Sequence, residues 1–498
     1  MTFGEPALTL GQTLWHLSPE LVLLLTSLLV LGLDVLHPRW GEKLRLPHVA
    51  LAGLGAALIA TISLWGCHVR VLHVLSCDGF ALVVKMFALV AVGLIVLLSD
   101  AYVQAHSRRR DAGARLPRLY ALLLLATLAI CLLGAAVNLI LIFLAFEWFS
   151  LASYVLSIYL RDDRRSTEAA IKHFLYGAAL SATMLYGMSW IYGATGSTDL
   201  SVIAAALAGA ESALRPVILP ALILMLAGFA CQVAAVPFHQ WAPDVYEGAP
   251  PPVAAFLSVG PPLAGFALLM RVSLTMLPAD VGNLAVDWRA LLMALAVLTM
   301  TVGNLVALWQ TNVKRLLAYS SVAQAGYVLI GVVAASEAGV TAALLHLAAY
   351  ALANVGAFAV VIAVSGRGGS GDVEEYAGLS RREPLLALAL LLCLLSLSGI
   401  PPLAGFTAKL YTFGAAVGEG LRLLAVVGLI NSVISFACYW RLIRAMYITP
   451  PGETGPLPVA DTLAIVIGLA IIGVVVLGLC PTLLLGLLQS AAAVFFGG

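Results

Sequence analysis

The chain has 498 residues, of which 62% are hydrophobic and only 10% are charged. A soluble domain has about 45–50% apolar and about 25% charged residues, so this sequence has too few charges to cover a water-exposed surface. The composition excludes an ordinary water-soluble enzyme and is typical of helices packed in lipid. The net charge of +1 gives no basic surface for nucleic acid, and no nucleic-acid partner is predicted.

Fourteen mostly apolar stretches reach the length of about 20 residues that a bilayer-spanning helix needs. They lie near 17–36, 48–66, 79–99, 117–135, 138–160, 168–194, 216–236, 252–277, 286–308, 316–335, 338–365, 384–417, 420–448 and 459–490. Runs such as 21–33 and 385–397 are apolar on every face, which excludes the alternating strands of a barrel. The first stretch lacks a preceding basic segment and is predicted to be a true span. We therefore predict an all-α polytopic membrane protein with about fourteen transmembrane helices.

The distribution of lysine and arginine predicts the orientation. If the N-terminus lies outside the cytoplasm, 18 of the 26 basic residues fall on the inner side. Five fall on the outer side, namely Arg70, Arg215, Arg271, Arg289 and Arg422. This bias follows the positive-inside rule. An even number of spans then places both termini outside.

Prolines interrupt two of the predicted spans. The seventh contains Pro237, and the twelfth contains Pro401 and Pro402. Proline removes a backbone donor, and unwound backbone inside a membrane is tolerated only within protein or beside a water-filled cavity. Breaks five spans apart predict two five-helix repeats of opposite orientation, spans 4–8 and 9–13, and indicate a transport path. Kinks in lipid-facing helices are the alternative.

The predicted repeats divide the chain into four parts. These are an N-terminal three-helix segment at 1–116, a first repeat at 117–277, a second, inverted repeat at 286–448 and a C-terminal helix within 449–498.

Four ionisable residues are predicted to lie inside spans, where an unpaired charge costs several kcal/mol. They are Lys85, Glu147, Lys172 and Lys409. Glu147 must be neutral, paired or hydrated, so it is a candidate proton carrier, with a static ion pair as the alternative. Lys409 follows the second break and is also a candidate carrier. Lys172 is either a carrier or a cation reaching the interface, and Lys85 is expected to be a structural partner for a neighbouring helix.

Further polar residues stand in apolar spans. His346 in span 11 either passes protons or is a hydrogen-bonded core histidine, and His239 after the first break is a candidate backbone cap. Span 10 carries four polar-axis candidates that either hold a chain of water or bond neighbouring helices. They are Ser320, Ser321, Gln324 and Tyr327.

The seven cysteines show no metal-binding spacing. Cys67 and Cys77 share a predicted outer loop and are candidates for a disulfide, because that compartment permits one. The sequence contains no Gly-rich phosphate loop, dinucleotide fingerprint or iron–sulfur cysteine cluster. We therefore predict that this chain binds no cofactor of its own.

Four segments carry a resemblance to a known family. They are 164–172 (RRSTEAAIK), 236–250 (VPFHQWAPDVYEGAP), 313–321 (VKRLLAYSS) and 398–409 (SGIPPLAGFTAK). They resemble the starts of spans 6 and 10 and the broken helices 7 and 12 of the antiporter-like membrane subunits of proton-pumping NADH–quinone oxidoreductase, respiratory complex I. The likeness covers about residues 70–450. Segment 236–250 favours the subunit N branch of that family.

The resemblance implies a subunit that contributes to proton translocation across the bacterial inner membrane and has no redox centre. NADH, FMN, iron–sulfur clusters and quinone would belong to partner subunits, and the direct partners would be paralogous and small membrane-arm subunits. In the family, a span-5 glutamate pairs with a span-7 lysine, and lysines on spans 8 and 12 extend a polar axis. Glu147 and Lys409 match this pattern, and Lys172 matches a basic residue on span 6.

The chain departs from the family pattern at several polar positions. Gln232 stands at the span-7 lysine, Pro262 near the span-8 lysine, Gln324 at a span-10 histidine, and His346 where a tyrosine is expected. Glu147 has therefore lost its usual counter-charge. We expect Glu147 to be protonated or paired with Lys172.

Three other functions share the same antiporter scaffold, which fold alone does not separate. They are a subunit of a multi-subunit cation/proton antiporter, a subunit of a membrane-bound hydrogenase, and a weakly coupled structural scaffold. The replacements Gln232 and Pro262 favour the scaffold alternative. The resemblance of segment 236–250 favours the proton-pumping oxidoreductase.

Overall fold

The computed structural model describes residues 8–36, 46–106, 116–159, 164–277, 282–365, 371–451, 457 and 459–497. Nine of the basic residues assigned above to the inner side lie outside the described residues. They are Arg39, Lys43, Arg45, Arg108, Arg109, Arg110, Arg115, Arg161 and Arg367. Apart from one short hairpin, the secondary structure of the described ranges is helical, which confirms the predicted all-α class.

The N-terminal part consists of four helices and the hairpin. Its elements are α1 (Leu10–His16), α2 (Ser18–Leu36), α3 (Leu46–Ser63), β1 (Val69–Val71), β2 (Leu75–Cys77) and α4 (Gly79–His106). The two strands pair antiparallel, with Val69 opposite Cys77.

Two groups of helices follow, each with one broken member. The first comprises α5 (Leu116–Ala135), α6 (Leu139–Ser157), α7 (Arg164–Thr195), α8 (Leu200–Gln232), the short α9 (Trp241–Gly248) and α10 (Pro251–Met276). The second comprises α11 (Asn283–Ala307), α12 (Val313–Ala334), α13 (Glu337–Ser365), a 3-10 turn (Val373–Tyr376), α14 (Leu379–Arg382), α15 (Pro384–Ser398), α16 (Ala404–Gly418) and α17 (Arg422–Tyr447). Helices α18 (Asp461–Leu479) and α19 (Thr482–Ala493) end the described chain.

Helix occupies each of the fourteen predicted stretches. Eleven described helices are long and apolar enough to cross a membrane, and a twelfth is reached if the bent pair Leu10–His16 and Ser18–Leu33 forms one span. The chain is therefore a multi-pass membrane protein. The number of fourteen crossings stays a prediction.

Three helices form the buried centre of the bundle. The span-length windows of α10, α12 and α13 are 100%, 94% and 89% buried, against 28% for α18. Helix α13 packs against α10, α12 and α16, so it joins the two groups. Both central and peripheral helices are apolar all round, because the periphery faces lipid instead of water.

Both predicted breaks are present. The first separates α8 from α9 and contains Pro237, and the second separates α15 from α16 and contains Pro401 and Pro402. The Val236–Pro237 and Pro401–Pro402 peptide bonds are cis. The freed backbone finds partners within the protein: Val236 N–H donates to Thr299 Oγ1 at 3.0 Å. Unwound backbone is thus satisfied by neighbouring helices, as a membrane interior requires.

The two groups share a backbone arrangement that we call the helix clamps. Asn138 pairs with Asp199 in the first group, and Asn312 pairs with Asp372 in the second. In each clamp, the N–H of the residue after the asparagine donates to the carbonyl of the residue before the aspartate. The N–H of the residue after the aspartate donates to the carbonyl of the residue before the asparagine. The distances are 2.8 and 3.0 Å in the first clamp and 2.8 and 2.9 Å in the second. This correspondence supports the predicted internal repeat.

All seven cysteines are free thiols, so the structure does not contain the Cys67–Cys77 disulfide considered above.

Candidate functional site

Glu147 lies on α6 and has no ion-pair partner among the described residues. Its Oε1 atom is buried and has no hydrogen-bond partner among the described residues. Gln232, at the end of α8, is also buried, and its Nε2 atom likewise has no partner in the described part of the chain. We call the surroundings of these two residues the first-half site. Two unpaired polar groups of this kind favour hydration, because an unsatisfied buried group costs about 1–3 kcal/mol.

A small cavity with both polar and apolar lining lies in the first-half site, between α6, α7 and the first break. The residues lining it include Ser150, Ser153, Tyr154, His173, Gln232 and Trp241. Ser150 and Tyr154 are three and seven positions after Glu147, so all three share one face of α6. The cavity therefore follows the face of the helix that carries the carboxylate.

His173 is the histidine that lines this cavity. Its ring is buried and stacks on Trp241 with the centroids 4.4 Å apart. Its Nδ1 atom lies 3.2 Å from Ser157 Oγ, and Ser157 gives its hydroxyl proton to the Ser153 carbonyl at 2.8 Å. With the Ser157 proton on the Ser153 carbonyl, Nδ1 is the donor to Ser157 Oγ and Nε2 is left as an acceptor. In the other tautomer, Ser157 donates to Nδ1 and gives up the Ser153 carbonyl.

The expectation that Lys172 pairs with Glu147 is wrong. Lys172 Nζ lies 2.8 Å from both Glu168 Oε1 and Asp244 Oδ2, and its side chain is 49% exposed. Asp244 also binds Arg315 at 2.7 Å. The long lysine side chain reaches an acidic group outside the apolar interior, because a paired and hydrated charge is far less costly there.

These charges connect three helices at one end of the bundle. Arg315 Nη1 lies 2.9 Å from Glu247 Oε2, and Lys314 Nζ donates to the Glu247 and Ala249 carbonyls. The short α9 is thereby held between α7 and α12. Lys172 therefore lies in an ion-pair cluster beside α9 instead of beside the Glu147 carboxylate.

Lys409 lies on α16 and is 3% exposed. Its Nζ donates to the carbonyls of Leu397 and Ser398, both at 3.0 Å, and to Ser432 Oγ at 3.1 Å. It also stands over the Tyr327 ring, 4.3 Å from the centroid. The two carbonyls are available because α15 ends at the break, and the C-terminal end of a helix attracts a cation.

Gly399 makes this approach of Lys409 possible. Its φ of +84° lies in the left-handed region that favours glycine, and a Cβ there would meet Lys409 Cδ at 2.9 Å. Backbone conformation and side-chain packing both require glycine at this position.

His346 and Gln324 are connected to the same carbonyl group. Gln324 Nε2 donates to the Leu397 carbonyl at 2.9 Å, and Gln324 Oε1 lies 2.9 Å from His346 Nε2. A carbonyl only accepts, so Oε1 must face the histidine and Nε2 of His346 must carry the ring proton. His346 Nδ1 lies 3.5 Å from Thr412 Oγ1. We call Lys409, Gln324, His346 and their partners the second-half site.

The remaining span-10 candidates bond neighbouring helices. Tyr327 accepts from Asn304 Nδ2 at 3.0 Å, and Ser320 Oγ contacts Tyr439 of α17. Ser321 Oγ lies 2.7 Å from the Tyr350 hydroxyl. Helix α12 thus presents one polar face that binds α11, α13, α15 and α17.

Tyr350 connects the two halves. Its hydroxyl on α13 donates to the Ser258 carbonyl of α10 at 2.6 Å and accepts from Asn354 at 3.1 Å. Pro262 follows Ser258 by one turn and is buried within α10. The position near which the resemblance places a lysine therefore holds no charge, and the polar connection between halves runs through Tyr350.

Lys85 belongs to neither half-site. Its Nζ lies 2.6 Å from Glu20 Oε1, and both side chains are buried. This ion pair joins α4 to the neighbouring helix α2. Arg271 is a second buried cation, held by Asp78 at 2.7 and 2.9 Å.

The sequence analysis missed several polar residues of the two half-sites. The missed groups are Ser150, Ser153, Tyr154, His173, Ser258, Asn304, Tyr350, Thr412, Asn431 and Ser432. The available signal was an amide or hydroxyl in an otherwise apolar span, which marks helix–helix hydrogen bonds as often as transport. They are distinguished only by their places in the folded chain, around the first cavity or within the hydrogen bonds that connect α12, α13 and Lys409.

The chain is similar in sequence to membrane subunits of quinone oxidoreductases. Residues 136–435 match the family described as NADH:quinone oxidoreductase/Mrp antiporter, transmembrane. The chain belongs to this family. NADH-quinone oxidoreductase subunit N of Trichlorobacter lovleyi is 41% identical over 480 residues, covering 95% of this chain and 96% of that protein. NAD(P)H-quinone oxidoreductase subunit 2 of Synechococcus elongatus is 44% identical over 87% of this chain and 81% of that protein.

Solved structures of the family share the same fold. A chain of respiratory complex I from Thermus thermophilus is 32% identical, with a TM-score of 0.78 over 94% of this chain and 98% of that one. A chain of the Mrp complex from a Dietzia species has a TM-score of 0.81 at 22% identity, covering 98% of each chain. The second likeness shows the antiporter-like fold alone.

Proposed function

We propose that this chain is the antiporter-like subunit N of a bacterial NADH–quinone oxidoreductase and contributes to its proton translocation. The observation that carries the proposal is Lys409, a buried cation held by the carbonyl end of a broken helix and connected to His346. The near full-length likeness to a relative named subunit N supports the choice of complex. The chain would lie in the inner membrane with both termini periplasmic.

The partners follow from the same relatives. Paralogous antiporter-like subunits and small membrane subunits would flank this chain in the membrane arm. NADH, FMN, iron–sulfur clusters and quinone would bind to other subunits, with no redox centre in this chain. Its task would be to bind and release protons while the oxidation chemistry proceeds elsewhere.

In the second-half site, Lys409 and His346 are the proposed proton carriers. Lys409 in its charged form offers three protons to three acceptors, so the ammonium is fully hydrogen-bonded. Gln324 does not carry a proton. Its Oε1 atom holds His346 with a proton on Nε2, and its Nε2 atom donates to the same Leu397 carbonyl that binds Lys409. A proton leaving Lys409 therefore removes one hydrogen bond at the break and weakens the attachment of α16 to α15.

In the first-half site, we propose Glu147 and His173 as proton carriers. Lys172 would supply a positive charge nearby, in the cluster with Glu168 and Asp244. Gln232 replaces the cation that the resemblance implies beside Glu147, while His173 lines the same cavity. A histidine is suited to this task because its ordinary pKa lies near neutral pH. Ser150, Ser153 and Tyr154 would position water between the two groups.

Proton pumping by the reconstituted complex tests the proposal. Lys409→Ala is expected to lower the number of protons moved per NADH oxidised, and Lys409→Arg to retain more of it because the positive charge remains. Leu410→Ala is the matched control, since Leu410 is on the same helix and its side chain is 57% exposed. An unchanged ratio in an assembled Lys409→Ala complex would contradict the proposal.

One observation favours a second candidate, a scaffold subunit with a weakly coupled first half. Gln232 and Pro262 leave the first half without the two cations of the family pattern. In that case Glu147→Gln and His173→Ala would leave the proton ratio unchanged, while Lys409→Ala would still lower it.

A further inference from the structure

Three potential metal ligands meet beside the hairpin of the N-terminal part. His16 ends α1, Cys67 lies in the loop before β1, and Cys77 ends β2. Their ligand atoms all lie within 4.8 Å of one another. Among the described residues, this is the one group of three or more histidines, cysteines and carboxylates that is close enough to share an ion. The group is separate from both half-sites.

The separations are near those of a tetrahedral metal centre. Zinc binds sulfur at about 2.3 Å and imidazole nitrogen at about 2.0 Å, so two ligands of one ion stand about 3.5–3.8 Å apart. From separations of at most 4.8 Å, the atoms need to close by about 1.3 Å at most. A side-chain rotation at His16 or Cys67 supplies such a movement, since both are only partly buried.

His16 gives a second observation that points to a ligand. Its Nδ1 atom is buried and has no hydrogen-bond partner among the described residues. A buried imidazole nitrogen without a partner is unfavourable, and coordination to a metal would satisfy it. The side chains packed with Cys67 and Cys77 include Leu17, Val71 and Leu75, which offer His16 no hydrogen bond. The buried Lys85–Glu20 pair and Asp78 also lie near Cys77.

We propose that His16, Cys67 and Cys77 bind one Zn²⁺ ion. Two thiolates and a neutral imidazole around Zn²⁺ have no net charge, which is the least costly state in apolar surroundings. The same ligands around Cu⁺ would leave one negative charge. Binding releases the two thiol protons to solvent, and water occupies the fourth position. The ion would attach α1 to the hairpin.

Metal content of the full-length chain, purified in lipid nanodiscs, is the first test. We expect about one zinc ion per chain, and loss of that zinc in His16→Ala and in Cys67→Ser. The matched controls are His48→Ala and Cys480→Ser, which change exposed residues of the same types outside the cluster and are expected to retain the ion. Equal zinc in cluster and control variants, or no zinc in any of them, would overturn the proposal.

Thiol accessibility in the unmodified chain tests the site without a substitution. Zinc is expected to protect Cys67 and Cys77 from alkylation, and a chelator to raise their alkylation rate at least about tenfold, because metal-bound thiolates are shielded. Rapid alkylation before the chelator would overturn the proposal. So would thiols that react only after a reductant is added, since this would show a Cys67–Cys77 disulfide.

Discussion

Lys409 Nζ lies 3.0 Å from the carbonyl oxygen of Leu397, although the two residues are on opposite sides of a helix break. The same oxygen accepts from Gln324 at 2.9 Å. An intact helix would use this carbonyl internally, so the break releases it for a side chain. The prolines at the break therefore create the binding site of the buried cation.

Gln324→Leu is expected to disconnect His346 from Lys409. The substitution leaves His346 Nε2 without its partner, which costs about 1–3 kcal/mol when the group is buried. We expect a lower thermal transition of the purified complex and a lower ratio of protons moved to NADH oxidised. Gln489→Leu, at an exposed position on α19, is the control. A normal proton ratio in Gln324→Leu would show that His346 is not coupled to the relay through this amide.

Gly399→Ala is expected to displace Lys409. The alanine would have to adopt a left-handed φ, at a cost of about 1 kcal/mol. Its methyl group would also meet Lys409 Cδ. Gly414→Ala is the control, because a Cβ there meets nothing within 4 Å and helix propensity favours alanine. Proton pumping and thermal stability should fall in the first variant only. Equal behaviour of the two would contradict the proposed packing of Lys409 on Gly399.

Gln232→Lys is expected to return a cation to the first-half site. A nearby positive charge favours the ionised carboxylate, so the infrared band of protonated Glu147 should weaken at neutral pH. Glu147→Gln assigns the band, and Gln232→Met controls for the change of shape. If the unmodified chain shows no protonated-carboxyl band that Glu147→Gln removes, Glu147 is already ionised without that cation.

An ion pair between Arg70 Nη1 and Asp199 Oδ2, 2.9 Å apart, connects the hairpin to the start of α8. The stability of the hairpin is therefore expected to depend on pH. Burial alone would raise the pKa of Asp199, but hydrogen bonds from Ser201 and the charge of Arg70 outweigh it and lower the pKa. The stabilisation is therefore complete above the ordinary pKa of an aspartate and is lost as pH falls through the lower folded-state pKa.

Hydrogen exchange of the hairpin, corrected for intrinsic rates, measures this effect. Asp199→Asn should exchange faster than the unmodified chain at about pH 6, and the two should converge only as pH falls below the lowered pKa of Asp199. A difference that persists at the lowest pH would show that the ionised carboxylate is not the stabilising species.

The sequence predicts the helical fold and both breaks because local rules decide them. Long apolar runs require helices in lipid, and the prolines at 237, 401 and 402 stop any helix locally. The same reasoning predicts Lys409 as a buried cation, because it follows a break within an apolar span.

The pairing of charges is not predictable in this way. Lys172 binds Asp244, 72 residues away, because α9 returns to α7 after the first break. Glu20 resembles a residue at a helix end, yet it forms a buried pair with Lys85. Such pairs depend on which helices become neighbours, and hydropathy does not contain that information.

The two helix clamps fix the ends of α6 and α12 with backbone hydrogen bonds between amide and carbonyl groups. Neutral bonds of this kind do not change with membrane voltage or with the proton gradient. The starts of α6 and α12 are therefore held by backbone contacts that contain no titratable group, whereas Glu147, His173 and Lys409 lie on the helices next to the breaks.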